Sequence, residues 1–315
     1  MRVVDEKFSM KKIVVGIGEV LWDILPERTC LGGAPANFAY ITTLLGDEGI
    51  VASRIGDDSR GGDALRKMQE LGLAADSVQI DGKHATGTVS VEVDGKGLPR
   101  YEIALPVAWD FLEWTADWQR VAETADAICL GSLAQRSETS RSTIQNFVRA
   151  AVRAVKIFDV NLRQSYYSQD VLAESMKLAD IVKLNDEELP KIMDLSGLSQ
   201  HASHDLSQQD ERSSAQRLID VYDLKMVSIT RGGKGSLLVR GSEFSEHGGF
   251  RVKVADTVGS GDAFTAGLVH EYLRGASLEQ MNEVANRAGA WVASEAGGMP
   301  VPRHGAVEES LAEIR

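Results

Sequence analysis

Asp256-Thr257-Val258-Gly259-Ser260-Gly261-Asp262-Ala263-Phe264-Thr265-Ala266-Gly267 is the stretch of this chain that carries the most information. Two glycines with one small residue between them let the backbone turn tightly, and the apolar spacing that follows, as far as Leu273, is helical. Successive N–H groups of Gly259, Ser260 and Gly261 then point into one space at the positive end of a helix, the arrangement of an anion hole. An acid in the first turn of that helix stands beside the bound anion. Asp262 there can take a proton from an attacking alcohol while the backbone donors stabilise charge on a transferred phosphoryl group. Ala263, Ala266 and Gly267 share one helix face and permit close packing. Taken alone, Gly-Ser-Gly-Asp reads more simply as a helix cap.

On either side of this turn, short β-branched runs recur between longer amphipathic segments. Ile13 to Gly18, Ile50 to Ile55, Ala127 to Leu130, Lys156 to Val160, Ile181 to Leu184 and Met226 to Thr230 read as buried strands. Between them lie helices such as Ala36 to Leu45, where Phe38, Ile41 and Leu45 recur at helical spacing and Gly46 is placed to terminate. The alternation predicts an α/β fold in which a mostly parallel central sheet is covered by helices on both faces. Two regions break the pattern. Thr88 to Val93 alternates with period two, Asp94-Gly95 offers a turn, and Arg100 to Ile103 returns, which predicts a two-faced hairpin projecting from the main sheet. Ser196 to Ser214 is rich in Ser, Gln, His and Asp and reads as a solvated loop between helices. With no internal repeat and no clear linker, residues 11–315 are expected to form one domain with a small β lid drawn from about 19–31 and 84–110. Residues 1–10 are expected to be an extension.

At 315 residues with 43% hydrophobic content, the chain can bury a large core. The formal charge of −12 argues against nucleic acid as the main partner, because that binding draws on clustered Lys and Arg. Cys30 and Cys129 form neither a disulfide framework nor a metal-type spacing, so a reducing cytoplasm is the expected setting. No stretch approaches the length of a membrane-spanning helix, and Met1 to Lys12 lacks the apolar run of a signal peptide, so no membrane partner is expected.

The segment from Asp256 to Gly267 resembles the second signature of the ribokinase-like, or PfkB, sugar kinases, in which this aspartate is the catalytic base. Ser260 stands where that family more often has alanine, at a position that supplies a backbone donor. Gly32-Gly33-Ala34-Pro35-Ala36-Asn37, followed by Leu45-Gly46 and Gly56-Asp57-Asp58 with Gly61, resembles the first signature in order and spacing. Read as residues, the proline suits a helix start and puts Asn37 in the first turn, where its amide either meets a polyol or satisfies local backbone. Gly18-Glu19-Val20-Leu21-Trp22-Asp23 is similar to the opening of bacterial fructokinases, whose aspartate binds sugar hydroxyls. An ionised carboxylate is a strong double acceptor, and an exposed turn acid is the other reading of Asp23. Asp159-Val160-Asn161-Leu162-Arg163 follows a buried strand, where open α/β sheets bind ligands, and its pattern also resembles the family. Arg163 is expected on phosphate or sugar, against a plain salt bridge at the strand end.

Lys183-Leu184-Asn185-Asp186-Glu187-Glu188 matches the family's Asn-x-x-Glu pattern, which orders magnesium, water and phosphate. The resemblance therefore assigns Asn185 to the nucleotide and Glu188 to the metal, although acids at a helix start also complement its dipole. In Thr230-Arg231-Gly232-Gly233-Lys234-Gly235 the family's nucleotide loop implicates Thr230, Gly232 and Gly235, while a hairpin turn would have the same composition. Asn286 matches a residue near adenine, and Trp109 either walls the sugar pocket or packs the lid. His201 and His204 have one-turn spacing but no supporting acid or cysteine cluster, so no metal is assigned there. A dinucleotide fingerprint fails because Leu21 occupies the third glycine position after Gly16 and Gly18, and Gly232 to Gly235 lacks the spacing of a P-loop.

The resemblance runs from Ile13 to Arg303. It implies a ribokinase-like three-layer fold and ATP- and Mg2+-dependent phosphorylation of a primary sugar alcohol. Fructose is favoured over ribose, 2-keto-3-deoxygluconate or a nucleoside because Gly18 to Asp23, Gly32 to Asn37 and Val107 to Asp110 together resemble bacterial fructokinases more than other branches, and Arg100, the only basic residue between Gly97 and Asp110, is little positive charge for an acidic sugar. The family also brings dimerisation through the lids and a response to a monovalent cation such as K+, neither of which is legible in these residues. A sugar sensor without catalysis is the competing reading, and the intact Asp262 with its glycines argues against it.

Overall fold

The computed structural model describes residues 11–93, 99–199, 208–303 and 305–314. Its strands are β1 (Ile13–Ile17), β2 (Leu21–Leu25), β3 (Arg28–Gly32), β4 (Glu48–Gly56), β5 (Val78–Asp81), β6 (Gly87–Val93), β7 (Pro99–Ile103), β8 (Ala127–Leu130), β9 (Val155–Asp159), β10 (Ile181–Asn185), β11 (Met226–Thr230), β12 (Ser236–Arg240) and β13 (Glu243–His247). The helices are α1 (Ala34–Leu44), α2 (Ser59–Glu70), α3 (Ala116–Thr124), α4 (Glu138–Ala150), α5 (Gln169–Leu178), α6 (Glu188–Leu195), α7 (Gln208–Tyr222), α8 (Ser260–Tyr272), α9 (Leu278–Ala293) and α10 (Val307–Ala312).

The main sheet runs β13-β12-β11-β10-β9-β8-β1-β4-β5. It is parallel from β5 to β11, and the last two pairings, β11 with β12 and β12 with β13, are antiparallel. The reason is visible in the strands themselves. β8 is buried at every position and β10 at all but its last, as continuous apolar runs must be when helices cover both faces. Successive side chains point to opposite faces, so Val15 and Ile17 join a core with Trp118, Phe147 and Leu184, while Val14 joins another with Phe38, Phe264 and Trp291. The parallel strands all deliver their carboxyl ends to one edge.

A second, smaller sheet has the order β3-β2-β6-β7. The expected hairpin of β6 and β7 is present, with Val89 opposite Ile103, and the Asp94-Gly95 turn lies outside the described residues. The sheet also takes in β2 and β3, from the other segment expected in the lid, about 19–31, and differs from a plain succession of hairpins in that β2 lies parallel to β6, with Trp22 opposite Thr88, while β3 closes against β2. Partners so distant in sequence leave no local period to read. A second difference concerns Ser196 to Ser214. The structure starts α7 at Gln208, so the end of that polar stretch is helical. Asp210 and Glu211 complement the dipole at its start, and Ala215 and Leu218 bury one face against the core. His201 and His204 lie outside the described residues. Among the described residues no helix is long and apolar enough to cross a membrane.

Helix α1 sits directly on β1, because Gly16 offers no side chain where the Pro35 backbone passes. A Cβ there would overlap the Pro35 carbonyl, and backbone cannot rotate away as a side chain can. Gly16→Ala should therefore destabilise the protein by about 1–3 kcal/mol, as overpacking does in a close-packed interior. Urea denaturation with an unchanged m-value would register it, and an unaltered midpoint would show that this contact yields.

Candidate active site

Helix α8 begins at the sheet edge where the parallel strands end. Gly259, its N-cap, has φ 76°, a left-handed conformation that glycine adopts without steric cost. From Asp262 to Val269 every residue of α8 is buried, because the helix is wedged between α1 and α9 with small residues at its contacts. The first turn of α8 borders two cavities. One, of about 530 Å3, is lined by Glu19, Asp23, Gly33, Asn37, Arg163, Lys183, Gly259 and Asp262, among others. The other, of about 360 Å3, is lined by Thr230, Gly232, Gly235, Ser260, Phe264 and Asn286, among others. Thr257 and Gly261 line both. Ser260 donates its N–H to the Thr257 carbonyl (3.3 Å), so that donor, expected in the anion hole, is engaged within the turn; Ser260 borders only the second cavity and Gly259 only the first.

Asp262 is 9% exposed, and its Oδ2 accepts a hydrogen bond from Asn37 Nδ2 at 2.8 Å. Burial, reinforced by the nearby Asp159 charge, pushes its carboxyl up to about 6, and the Asn37 hydrogen bond, Lys183 and Arg163 pull against that rise. Lys183 lies beneath the turn. Its Nζ pairs with Asp159 Oδ1 at 3.0 Å, and a Cβ on Gly261 would stand 3.0 Å from the same nitrogen. Burial alone would lower the Lys183 ammonium, but Asp159, Glu188 and Asp262 outweigh it and hold the group above its ordinary value. Asp159 is fixed in turn by Thr265 Oγ1 at 3.1 Å.

Asp23 is carried on β2 and faces the same cavity. Burial raises its carboxyl to about 6 against the pull of Arg163. Gly32 lies beside it without lining the cavity, and a side chain at Gly32 would occupy the space taken by Asp23 Oδ2. Arg163 is exposed at the cavity wall. Arg28, on β3, forms an ion pair with Asp256, which also accepts from Val258 N (3.0 Å) and Gly297 N (3.2 Å). The small sheet is thereby tied to the loop that precedes the α8 turn.

Other residues stand differently from the first expectation. Trp109 is fully buried with the Arg136 guanidinium 3.9 Å over its ring, and it packs the core instead of lining either cavity. Asn185 and Glu188 cap α6 reciprocally: Asn185 Oδ1 accepts from Glu188 N (2.8 Å), and Glu188 Oε2 accepts from Asn185 N (2.9 Å). The other oxygen of Glu188 accepts from Leu162 N at 2.7 Å, and neither residue lines the two cavities. Among the described residues no group of three His, Cys, Asp or Glu side chains is placed to hold a metal. Thr230, Gly232 and Gly235 do form the turn of a hairpin between β11 and β12, and that turn borders the second cavity. Asn286 reaches the same cavity while its Nδ2 donates to Ser236 Oγ at 2.7 Å.

Two residues of the first cavity escaped the sequence reading. Lys183 left a signal, since a lysine inside the apolar run Ile181 to Leu184 must be paired if it is buried. Glu19 left none beyond its place after β1, yet it is 4% exposed, faces the cavity, and is pushed up to about 7 by burial, against its own backbone N–H and with a smaller contribution from Asp262.

The sequence matches the description "pfkB family carbohydrate kinase" over residues 28–303. It is 29% identical over 306 residues to a fructokinase of Escherichia coli, covering 90% of this chain and 94% of that protein. Among solved structures it is similar to an uncharacterized sugar kinase from Pyrococcus horikoshii in complex with ATP, at 25% identity and TM-score 0.78, covering 95% of this chain and 99% of the other. It is similar also to the fructokinase of Vibrio cholerae O395 in a fructose, ADP and calcium ion bound form, at 25% identity and TM-score 0.75, covering 92% and 95%. The match to residues 28–303 begins after β1 and β2, and so after Glu19 and Asp23, but takes in every other strand and all of the second cavity's lining, and the chain belongs to the pfkB family of carbohydrate kinases, phosphotransferases with an alcohol group as acceptor.

Proposed function

We propose that this protein transfers the γ-phosphoryl group of ATP to the 6-hydroxyl of fructose, giving fructose 6-phosphate. One observation carries the reading: a single helix turn borders both cavities, with the buried acid Asp262 on the wall of only the first. The sugar occupies the first cavity, where Asp23 and Asn37 accept and donate to its hydroxyls. The nucleotide occupies the second, along the Thr230 to Gly235 turn and Asn286. Asp262 accepts the proton of the attacking hydroxyl, and the backbone N–H groups at Gly259 and Gly261, with the Lys183 charge beneath them, stabilise the phosphoryl group in transit. Arg163 adds positive charge at the open side. Both oxygens of Glu188 accept from backbone, so Glu188 would hold a magnesium ion through water and not directly, and such an ion would supply charge neutralisation at the phosphates.

Fructose is supported by the charge of the cavity as well as by the relatives. Glu19, Asp23 and Asp262 face Lys183, which is already paired with Asp159, and a single exposed arginine, surroundings that suit a neutral polyol better than a sugar acid. Under equal ATP and Mg2+, kcat/KM for fructose should exceed that for ribose, 2-keto-3-deoxygluconate and adenosine. A preference for any of the other three would replace fructose and leave the kinase standing.

Asp262→Asn should lower turnover by about two to four orders of magnitude, as loss of a general base does, with nucleotide affinity retained. Near-native turnover under chemistry-limited conditions would remove Asp262 from that role. The same variant should melt higher than wild type at pH 7.5. The folded carboxyl titrates at about 6 against 3.8 unfolded, so its contribution to stability is present in acid and is lost as pH rises through about 6. Melting curves at pH 7.5 and pH 4 would show the gain at the first and little at the second.

A further inference from the structure

Glu19 follows β1 at the point where the chain leaves the main sheet, and its carboxyl group lies at the start of α1. One oxygen, Oε1, accepts from Ala34 N at 3.3 Å, an ordinary capping contact. The other, Oε2, is buried and has no hydrogen-bond partner among the described residues. A buried carboxyl oxygen without a partner costs free energy, and capping alone explains only one of the two. The residue is 4% exposed and faces the cavity that also holds Asp23, Asn37 and Asp262. The Glu19 backbone N–H favours the charged carboxyl but makes no hydrogen bond to Oε2, so the cavity that Glu19 lines is the place from which a full partner, with a polar hydrogen or a lone pair, can come.

We propose that Glu19 is a further acceptor-binding residue, whose Oε2 pairs with a hydroxyl of the carbohydrate and so selects among acceptors. The inference rests on reading this cavity as the acceptor site. Burial pushes the carboxyl up to about 7, and a hydroxyl donating to Oε2 stabilises its charged form, a stronger acceptor than the amide oxygen of a glutamine. Glu19 differs in role from Asp262, which takes the proton of the reacting hydroxyl, and from Asp23, which stands on the small sheet. It is anchored on the main sheet side, beside the start of the helix that carries Asn37, so a hydroxyl held there is fixed relative to the Asp262–Asn37 pair.

The test is Glu19→Gln, assayed with fructose, with 1-, 3- and 4-deoxyfructose and with ribose, alongside calorimetry with ADP. A hydrogen bond to an ionisable group is lost or weakened, so KM for fructose should rise about tenfold or more with kcat within about threefold and ADP affinity unchanged. For the deoxy analogue that lacks the partner hydroxyl, variant and wild type should agree. A merely structural role would instead lower the melting temperature and weaken ADP and every sugar alike, which would overturn the proposal, as would unchanged constants for all acceptors. Should Glu19→Gln fail to fold, Glu19→Asp keeps the charge, withdraws the oxygen and is read in the same way. If wild type phosphorylates fructose and the variant equals it, only the role of Glu19 falls. If wild type phosphorylates none of these sugars, the acceptor reading falls and takes this one with it.

Discussion

A carboxylate buried at the head of a helix is the constraint around which this molecule is arranged. Taking Asp262 out of water disfavours its charged form, and the surrounding elements limit that cost without cancelling it. Asn37 donates to it from α1, Lys183 lies close by on β10, and the positive end of α8 begins beneath it. Each of these comes from a different crossover of the parallel sheet. The register of β10 decides that Lys183 and Asp159 meet, and the close seat of α1 on β1 decides that Asn37 reaches the acid. The result is a group held near the middle of the useful pH range, ionised often enough to take a proton and basic enough to hold it.

The small sheet serves the site in another way. It brings Asp23, Leu21, Val89 and Ile103 to the open side of a cavity whose floor belongs to the main sheet. Its parallel pairing of β2 with β6 joins a segment near the start of the chain to one well beyond α2. The Arg28–Asp256 ion pair then binds this sheet to the loop leading into α8. The wall of the first cavity and the turn at the head of α8 are thus mechanically connected at a point outside either cavity.

Much of this was legible in the residues, for reasons that differ by element. Met226 to Thr230 reads as a strand to the residue because its signal is local: a short apolar, β-branched run with a glycine turn after it. The α8 turn is legible because two glycines around one serine allow a left-handed turn that other residues resist, and helical apolar spacing follows at once. Leu21 to Gly32 carries no such signal. Its strands are half-buried, and their partner in β6 lies dozens of residues away, so only tertiary pairing makes them strands. Trp109 shows the reverse failure, since an aromatic residue next to the hairpin reads equally as wall or as core. Asn185 and Glu188 lie where the pattern puts them, yet their side chains are committed to backbone, which no spacing reveals. Glu19 was hidden because nothing in a sequence marks an oxygen as lacking a partner.

The seam between α8 and α9 bears on how such a chain can change. Gly267 lies against Ala285, with room for a Cβ only 3.0 Å from its Cα, and Gly289 lies as close to the Ser260 carbonyl. Backbone meets backbone along this line, so a larger residue on one helix has no side chain opposite that can shrink to receive it. A single replacement there, in either helix, requires the facing backbone to give way. A lineage of this protein can alter the cavity wall on the small sheet one residue at a time, while the helix that carries Asp262 travels with its neighbour as one inherited block.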